Sequence, residues 1–243
     1  MPNPTNPQSL NRYSYTRNSP LNMTDPTGHR ECGAHDGCSG EALPSLPTPP
    51  PPLGDPLEGF YDSGYDYDPD PTRPDVGGYH NGVDLGNDKD TSDDLFAIAE
   101  GRVRVTDACT VCGYSDSANA NFGAGNVVII EYIYDVIPAN IREALGLKRG
   151  DSVYVQYQHL ASINESITVG QEVQPGDVVG QYGNTGLSKG VHLHLEVHIG
   201  TAGALGRGPN STPGNSYNIY NTAWHELSLV DPGLIWNIPQ PPS

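Results

Sequence analysis

The sequence predicts a mostly β protein with an antiparallel sheet or sandwich core and a long irregular N-terminal flank. From Val76 onward, short β-branched and aromatic runs are separated by Gly, Pro, Asn and Asp, as in antiparallel sandwiches and barrels. Only 35% of the 243 residues are apolar, and the 29 Gly and 23 Pro make up about a fifth of the chain. This composition favours a loop-rich domain with unstructured flanks.

The predicted elements of this domain are short and follow one another closely. Each predicted strand is a β-branched or aromatic run bounded by turn residues. These strands cover residues 96–99, 103–105, 126–132, 152–157, 178–182 and 191–199. One helix is predicted over residues 139–147, because Pro138 stands near its start and Gly150 stands beyond its end.

Alternation divides the last predicted strand into two faces. The polar face carries His192, His194, Glu196 and His198. The apolar face carries Val191, Leu193, Leu195, Val197 and Ile199, and we expect it to enter the core. A polar outer face open to solvent is the simplest interpretation of this strand taken alone.

The first 75 residues differ in composition from this domain. Residues 1–29 are rich in Asn and Pro and end in an Asp-Pro-x-Gly turn. The run from Pro44 to Pro52 is expected to form polyproline II, and the acidic stretch from Tyr61 to Asp70 favours a solvated linker over a calcium site. We therefore predict three parts: residues 1–29, a linker over residues 30–75 and a folded domain over residues 76–243.

Charge and hydropathy exclude several classes of partner. The formal net charge is -17, and the chain has no Lys/Arg cluster that could neutralise nucleic-acid phosphates or dock on anionic lipid. It has no run of 18 apolar residues, which predicts no membrane span. The first 30 residues lack the basic and apolar regions of a signal peptide.

The four cysteines form two close pairs, Cys32 with Cys38 and Cys109 with Cys112. Two local disulfide loops are the favoured interpretation for an extracellular protein. A structural zinc site built from all four cysteines is the alternative. The pairs lie far apart in sequence, and the spacing between Cys32 and Cys38 is loose for a zinc knuckle.

Three short histidine-containing segments are the strongest functional signal. His80 and Asp84 frame a segment between glycines, where Gly82 lets the backbone turn so that both side chains can converge on one ion. His159 follows a predicted strand, and the last strand contributes the pair His192 and His194. These segments supply three metal ligands and spare histidines, as in a catalytic zinc site that keeps its fourth position for water.

These segments resemble the lysostaphin-type zinc metalloendopeptidases. The matching motifs within residues 76–235 are His-x-Gly-x-Asp, Tyr-x-x-His-Leu and Gly-Asn-Thr-Gly followed by His-Leu-His-x-Glu-Val. The second motif, Tyr157 to Leu160 in this chain, is one residue shorter before its His. The resemblance implies an antiparallel core with a groove, a fold like the duplicated hybrid motif, and cleavage of peptidoglycan peptides with Zn²⁺. It also implies the site: His80, Asp84 and His194 would ligate zinc, while His159 and His192 would be catalytic.

The division of labour between the two catalytic histidines stays open. One takes the proton of the attacking water and later protonates the leaving amine, while the other stabilises the tetrahedral oxyanion. Two segments depart from the family pattern, the cysteine-containing insert at residues 107–125 and the long connection at residues 134–151. Both could reshape the groove.

A second resemblance concerns the N-terminal part. Residues 7–29 are similar to the end of the core domain of RHS-repeat proteins, which implies a larger repeat carrier upstream and an extracellular or envelope location. The leading hypothesis is therefore a secreted peptidoglycan endopeptidase carried as a C-terminal effector. A groove-binding activator without catalysis and a peptidase for protein substrates are the alternatives.

Overall fold

The computed structural model describes residues 52–63, 67, 80–87, 92–205 and 227–239, together with the backbone of residues 23–24 and 32–33. The chain divides into two compact units, Met1–Thr48 and Pro49–Ser243. In the first unit, strand β1 (Met23–Thr24) pairs antiparallel with β2 (Cys32–Gly33). The predicted Cys32–Cys38 disulfide lies outside the described residues, as does most of the segment predicted over residues 1–29.

The second unit consists of short strands with little helix. Its strands are β3 (Tyr61–Asp62), β4 (Val83–Gly86), β5 (Asp94–Phe96), β6 (Gly101–Asp107), β7 (Asn126–Ile133), β8 (Asp151–Leu160), β9 (Ser162–Ile163), β10 (Glu172–Val173), β11 (Val178–Gln181), β12 (Leu193–Thr201) and β13 (Ser228–Val230). Helix α1 spans Ala139–Leu145, and 3₁₀ turns span Ala118–Gly123, Tyr134–Val136 and Pro232–Leu234. No helix within the described ranges is both long and apolar enough to cross a membrane.

These strands form two antiparallel sheets. The larger sheet has the order β10–β6–β7–β8–β12–β4–β3, with β13 paired to β12, and the smaller sheet has the order β5–β11–β9. One hydrophobic core draws side chains from both sheets, including Leu95, Val155, Val179 and Leu195. The predicted fold class, a mostly β antiparallel core, is confirmed.

Local sequence explains most element boundaries. The central strands β7 and β8 are buried along almost their whole length. β7 is accordingly rich in Val and Ile, whereas β8 also buries polar residues, among them Gln156 and Gln158. Helix α1 begins after Pro138 as predicted and ends two residues earlier than predicted, because Gly146 adopts a left-handed conformation with φ 65°. The first predicted strand, residues 96–99, is instead β5 at Asp94–Phe96.

The second unit includes a segment upstream of Val76. We call residues 53–63 the strap. Leu57 is 0% exposed and pairs with Leu95 in an isolated bridge, and the Gly54 N–H donates to the Ile98 carbonyl at 2.7 Å. Downstream, β3 pairs with β4. Part of the predicted linker therefore contacts the sheet, while Val76 itself lies outside the described residues.

Candidate active site

Neighbouring strands bring Asp84 and His194 together. In the ladder between β4 and β12, His194 stands directly opposite Asp84. On the other side of β12, His194 stands opposite Gln158 of β8. Directly opposed residues in an antiparallel pair have Cβ atoms about 4.5–5.5 Å apart. The register therefore lines up a carboxylate, an imidazole and an amide across three strands.

His80 completes this group from the segment just before β4. Its Nε2 atom lies 3.0 Å from Asp84 Oδ1 and 3.1 Å from His194 Nδ1, and 2.9 Å separates Asp84 Oδ1 from His194 Nδ1. Gly82 permits this approach, since a Cβ atom there would lie 2.4 Å from the Leu195 carbonyl oxygen. Gly82 thus serves close packing of the backbone against β12 rather than the turn expected from the sequence.

Electrostatics reinforce the grouping of these side chains. Asp84 is 7% exposed and His194 is 9% exposed. Burial by itself raises the pKa of the Asp84 carboxyl, but hydrogen bonds with His194 and His80 outweigh it and hold that pKa well below its usual range. Burial by itself lowers the pKa of His194, but hydrogen bonds with Asp84 and Glu196 raise it to about 9. Asp84 is therefore a full negative charge in the site.

His159 reaches the same site because the end of β8 is distorted. The register between β7 and β8 shifts next to Asn126, and His159 has a left-handed backbone with φ 62°. Such a bulge redirects a side chain. In a regular strand, the side chains of Gln158 and His159 would lie on opposite faces of the sheet, and His159 would point away from the site. Its ring centroid lies 4.9 Å from that of His192 and 5.8 Å from that of His194. Burial, helped by the nearby His194 and His192, lowers the pKa of His159 to about 3.

Backbone carbonyls fix the tautomers of His159 and His192. His159 Nδ1 lies 2.8 Å from the Thr185 carbonyl oxygen, and His192 Nδ1 lies 2.9 Å from the Gly190 carbonyl oxygen. Because a carbonyl only accepts, each Nδ1 carries the proton and each neutral ring keeps an unprotonated Nε2. His192 Nε2 lies 3.4 Å from Asp84 Oδ1, so this nitrogen faces the site.

The insert between β6 and β7 is braced by a disulfide. Cys109 and Cys112 are bonded to each other, which confirms the predicted local disulfide for this pair and leaves neither sulfur for a four-cysteine zinc site. The Gly186 N–H donates to the Cys112 carbonyl, and the Gly186 carbonyl accepts from the Ser115 N–H. A Cβ atom on Gly186 would lie 2.3 Å from the Gly123 carbonyl oxygen. The insert therefore packs directly on the loop whose backbone carbonyls, at Thr185 and Gly190, accept hydrogen bonds from His159 and His192.

The structure brings all the residues predicted for the site into one cluster. They are His80, Asp84, His159, His192 and His194. Their roles as ligands and catalytic groups stay predictions. One expectation about the last strand is wrong: Val191 is 58% exposed rather than in the core, because β12 begins only at Leu193.

Other polar residues at the site were not predicted. The polar face of β12 is not solvated, since Glu196 is 9% exposed and His198 is 1% exposed. On the strap, the N–H and the Oγ of Ser63 both donate to the Asp84 carbonyl at 2.9 Å. Gln158 offered a signal only as the neighbour of His159 in one of the three histidine-containing segments. Ser63 offered none, because it lies in a stretch that reads as an acidic linker.

Comparisons with known proteins identify the class of this molecule as a peptidase. The family model described as peptidase family M23 matches residues 78–206, just over half of the chain, and the chain belongs to this family. It is 28% identical to the glycyl-glycine endopeptidase ALE-1 of Staphylococcus capitis, over 67% of this chain and 39% of that protein. It is 31% identical to lysostaphin of Staphylococcus simulans, over 56% of this chain and 21% of that protein.

The chain therefore spans only about two fifths or less of the length of these curated relatives. Among solved structures, the catalytic domain of the antimicrobial peptidase lysostaphin from Staphylococcus simulans is 28% identical with a TM-score of 0.37, covering 57% of this chain and 80% of that one. The peptidase resemblance, predicted over residues 76–235, is confirmed at the level of the family over residues 78–206. The RHS resemblance of residues 7–29 stays a prediction.

Proposed function

We propose that the chain is a zinc metalloendopeptidase that hydrolyses peptide bonds in the stem peptides or cross-bridges of peptidoglycan. The observation that carries this proposal is the convergence of three donor atoms 2.9–3.1 Å apart, with two further histidines beside them. Membership of peptidase family M23 gives the class of reaction. The metal, the residue roles and the substrate are what the proposal adds.

The donor atoms of His80, Asp84 and His194 fit zinc. Two imidazole nitrogens and a carboxylate oxygen form a ligand set that zinc takes in catalytic sites, with a fourth position left for water or substrate. Atoms that ligate one zinc ion tetrahedrally at roughly 2.0–2.2 Å lie about 3.3–3.6 Å from one another, a few tenths of an ångström more than the separations of 2.9–3.1 Å found here. When bound, zinc would polarise the scissile carbonyl and lower the pKa of water towards about 7.

His159 and His192 are the proposed catalytic residues. Each neutral ring keeps an unprotonated Nε2, because each Nδ1 donates to a backbone carbonyl. One Nε2 accepts the proton of the attacking water and delivers it to the leaving amine. The other ring acts in its imidazolium form, which takes a proton from solvent before the attack and keeps it through the cycle, and its Nε2–H donates to the oxygen of the tetrahedral intermediate. We assign these two roles to the pair without dividing them.

The peptidoglycan assignment rests on the relatives. One of them is named a glycyl-glycine endopeptidase and another is lysostaphin, and we extend the cleavage of cell-wall peptides to this chain. One observation favours a second candidate: the net charge of -17 gives room for a peptidase that acts on protein substrates instead. The activator hypothesis predicts no turnover at all.

We also propose that this domain is the C-terminal effector of a larger RHS-type carrier and acts outside the cell or in the envelope. The support for the carrier is the resemblance of residues 7–29. The support for the location is the Cys109–Cys112 disulfide, since disulfides persist in oxidising compartments.

The test is incubation of purified peptidoglycan with the zinc-loaded full chain, followed by mass analysis of the released muropeptides. Casein serves as the protein substrate, and the variant His192→Ala, loaded with zinc in the same way, serves as the control. New amino and carboxyl ends on wall peptides, absent with the control, are the expected result. Cleavage of casein alone would favour the protein-substrate candidate, and binding to peptidoglycan without cleavage would favour the activator.

A further inference from the structure

The carboxylate of Glu196 lies behind His194, on the side away from Asp84. The two residues are two positions apart on β12, so their side chains share one face. Glu196 Oε1 lies 3.2 Å from His194 Nε2, while His194 Nδ1 lies 2.9 Å from Asp84 Oδ1. Each nitrogen of this imidazole thus faces a different carboxylate.

Further contacts hold the Glu196 carboxylate in place. The Gln158 side-chain amide donates to Glu196 Oε1 at 2.8 Å, and His198 Nε2 lies 3.0 Å from Glu196 Oε2. Gln158 is 8% exposed, Glu196 9% and His198 1%. A buried carboxylate with partners on both oxygens has little freedom to turn away from His194.

This arrangement selects one tautomer of His194. A carboxylate only accepts hydrogen bonds, so the Nε2 of His194 carries the proton and donates to Glu196. Nδ1 faces the Asp84 carboxylate and also carries a proton when no metal is bound. A metal ion that binds on the Asp84 side displaces the Nδ1 proton, while Glu196 keeps the Nε2 proton in place, so Nδ1 then offers its lone pair. That lone pair is on the side where His80 Nε2 and Asp84 Oδ1 lie 3.1 Å and 2.9 Å away. A metal ligand needs an unprotonated nitrogen.

We propose that Glu196 is a positioning residue of the metal site: it fixes the tautomer and ring orientation in which His194 binds zinc through Nδ1, with Gln158 and His198 holding it there. The inference rests on the proposed role of His194 as a ligand. Carboxylates that accept from the outer nitrogen of a metal-bound histidine typically change metal affinity 10–100-fold when removed, by order of magnitude.

The experiment measures the zinc dissociation constant of the full chain by competition with a chromogenic chelator, for the wild type, Glu196→Gln and Glu196→Ala. We expect Glu196→Ala to bind zinc on the order of 10–100-fold more weakly than the wild type. We expect Glu196→Gln, which keeps an acceptor but loses the charge, to fall between them. The absorption spectrum of the cobalt-substituted protein gives a second measurement that does not depend on turnover. We expect it to change in Glu196→Ala, because the His194 ring is no longer held in one orientation.

Glu131→Gln is the matched control. Glu131 is also a buried carboxylate, 1% exposed, but it pairs with Arg104 and Tyr154. We expect this variant to lose stability and keep the zinc affinity of the wild type. If the wild type binds zinc and Glu196→Ala binds it with equal affinity, the inference is overturned and the proposed function still stands.

If Glu196→Ala does not fold, Glu196→Gln decides in the same way, because it preserves the volume of the side chain. A wild-type chain that binds no zinc at all would refute the proposed function, and the role of Glu196 with it. A loss of zinc affinity as large in Glu131→Gln as in Glu196→Gln would also overturn the inference, because it would make the effect one of stability.

Discussion

Removing the buried side chain of Leu57 should destabilise the domain, although composition alone assigns this residue to a dispensable linker. Leu57 is 0% exposed and belongs to the hydrophobic core. Leu57→Ala removes three carbon atoms, at roughly 0.8 kcal/mol for each buried CH₂, or about 2.4 kcal/mol. The cavity left behind adds about 1 kcal/mol, within the usual range for such changes. The expected loss in the free energy of unfolding is therefore about 3.5 kcal/mol.

Thermal unfolding followed by circular dichroism measures this loss. For a domain of this size, each kcal/mol lowers Tm by about 2–4 °C, so we expect a decrease of roughly 10 °C. Leu234→Ala is the control, because Leu234 is 44% exposed and removing the same three carbon atoms there should cost only about 1 kcal/mol. Equal Tm values for Leu57→Ala and the wild type would show that the strap does not contribute to the folded core.

Two truncated chains extend the same test to the domain boundary. A chain that begins at Pro52 keeps the strap and should melt like the full chain. A chain that begins at Val76 loses the Leu57 anchor, and Asp84 loses the hydrogen bonds from Ser63 to its backbone carbonyl. It should melt lower than Leu57→Ala and turn over substrate more slowly. Equal stability and activity of the two truncated chains would support the predicted boundary at Val76.

The remaining predictions concern the site and the insert. Replacing Asp84 or His194 with Ala should abolish zinc binding measured by metal analysis, and full retention of zinc would rule out this ligand set. His159→Ala and His192→Ala should keep their zinc but lose turnover by about 100-fold or more, because proton transfer and oxyanion stabilisation are separable from ligation; a near-normal rate would refute the role of that histidine. Replacing Cys109 and Cys112 together with Ser should lower stability by about 2 kcal/mol in chemical denaturation, the chain-entropy value for so short a loop, and an unchanged midpoint would show that the disulfide does not brace the insert.

The parts of the site that local sequence can encode were predictable. Alternation along the last predicted strand, residues 191–199, puts His192 and His194 on one face, although β12 itself begins at Leu193. The glycines around His80 and Asp84 argue against a helix there. His159 was placed in the site only by resemblance, because its orientation depends on a bulge between β7 and β8 and on a left-handed backbone. The register between two strands that are distant in sequence cannot be deduced from the pattern of apolar and polar residues within either strand.

The strap was missed for a different physical reason. A single apolar residue such as Leu57 among proline, glycine and acidic neighbours has no periodicity, so composition assigns it to a linker. Its burial depends on an isolated bridge to Leu95, a contact that only the folded sheet provides. The four-residue strand β4 was missed similarly, since its position follows from its ladder with β12.

The order of contacts along the strap determines how the domain bears tension. A pull on the chain from its N-terminal side reaches Gly54 and Leu57 before it reaches Ser63. The buried leucine and the hydrogen bond from Gly54 to Ile98 must therefore yield before the strap can pull directly on the strand that carries Asp84. A force that pulls on the chain ahead of the strap would therefore be resisted first by the contacts of Gly54 and Leu57. The hydrogen bonds between Ser63 and Asp84 would stay intact until those contacts break.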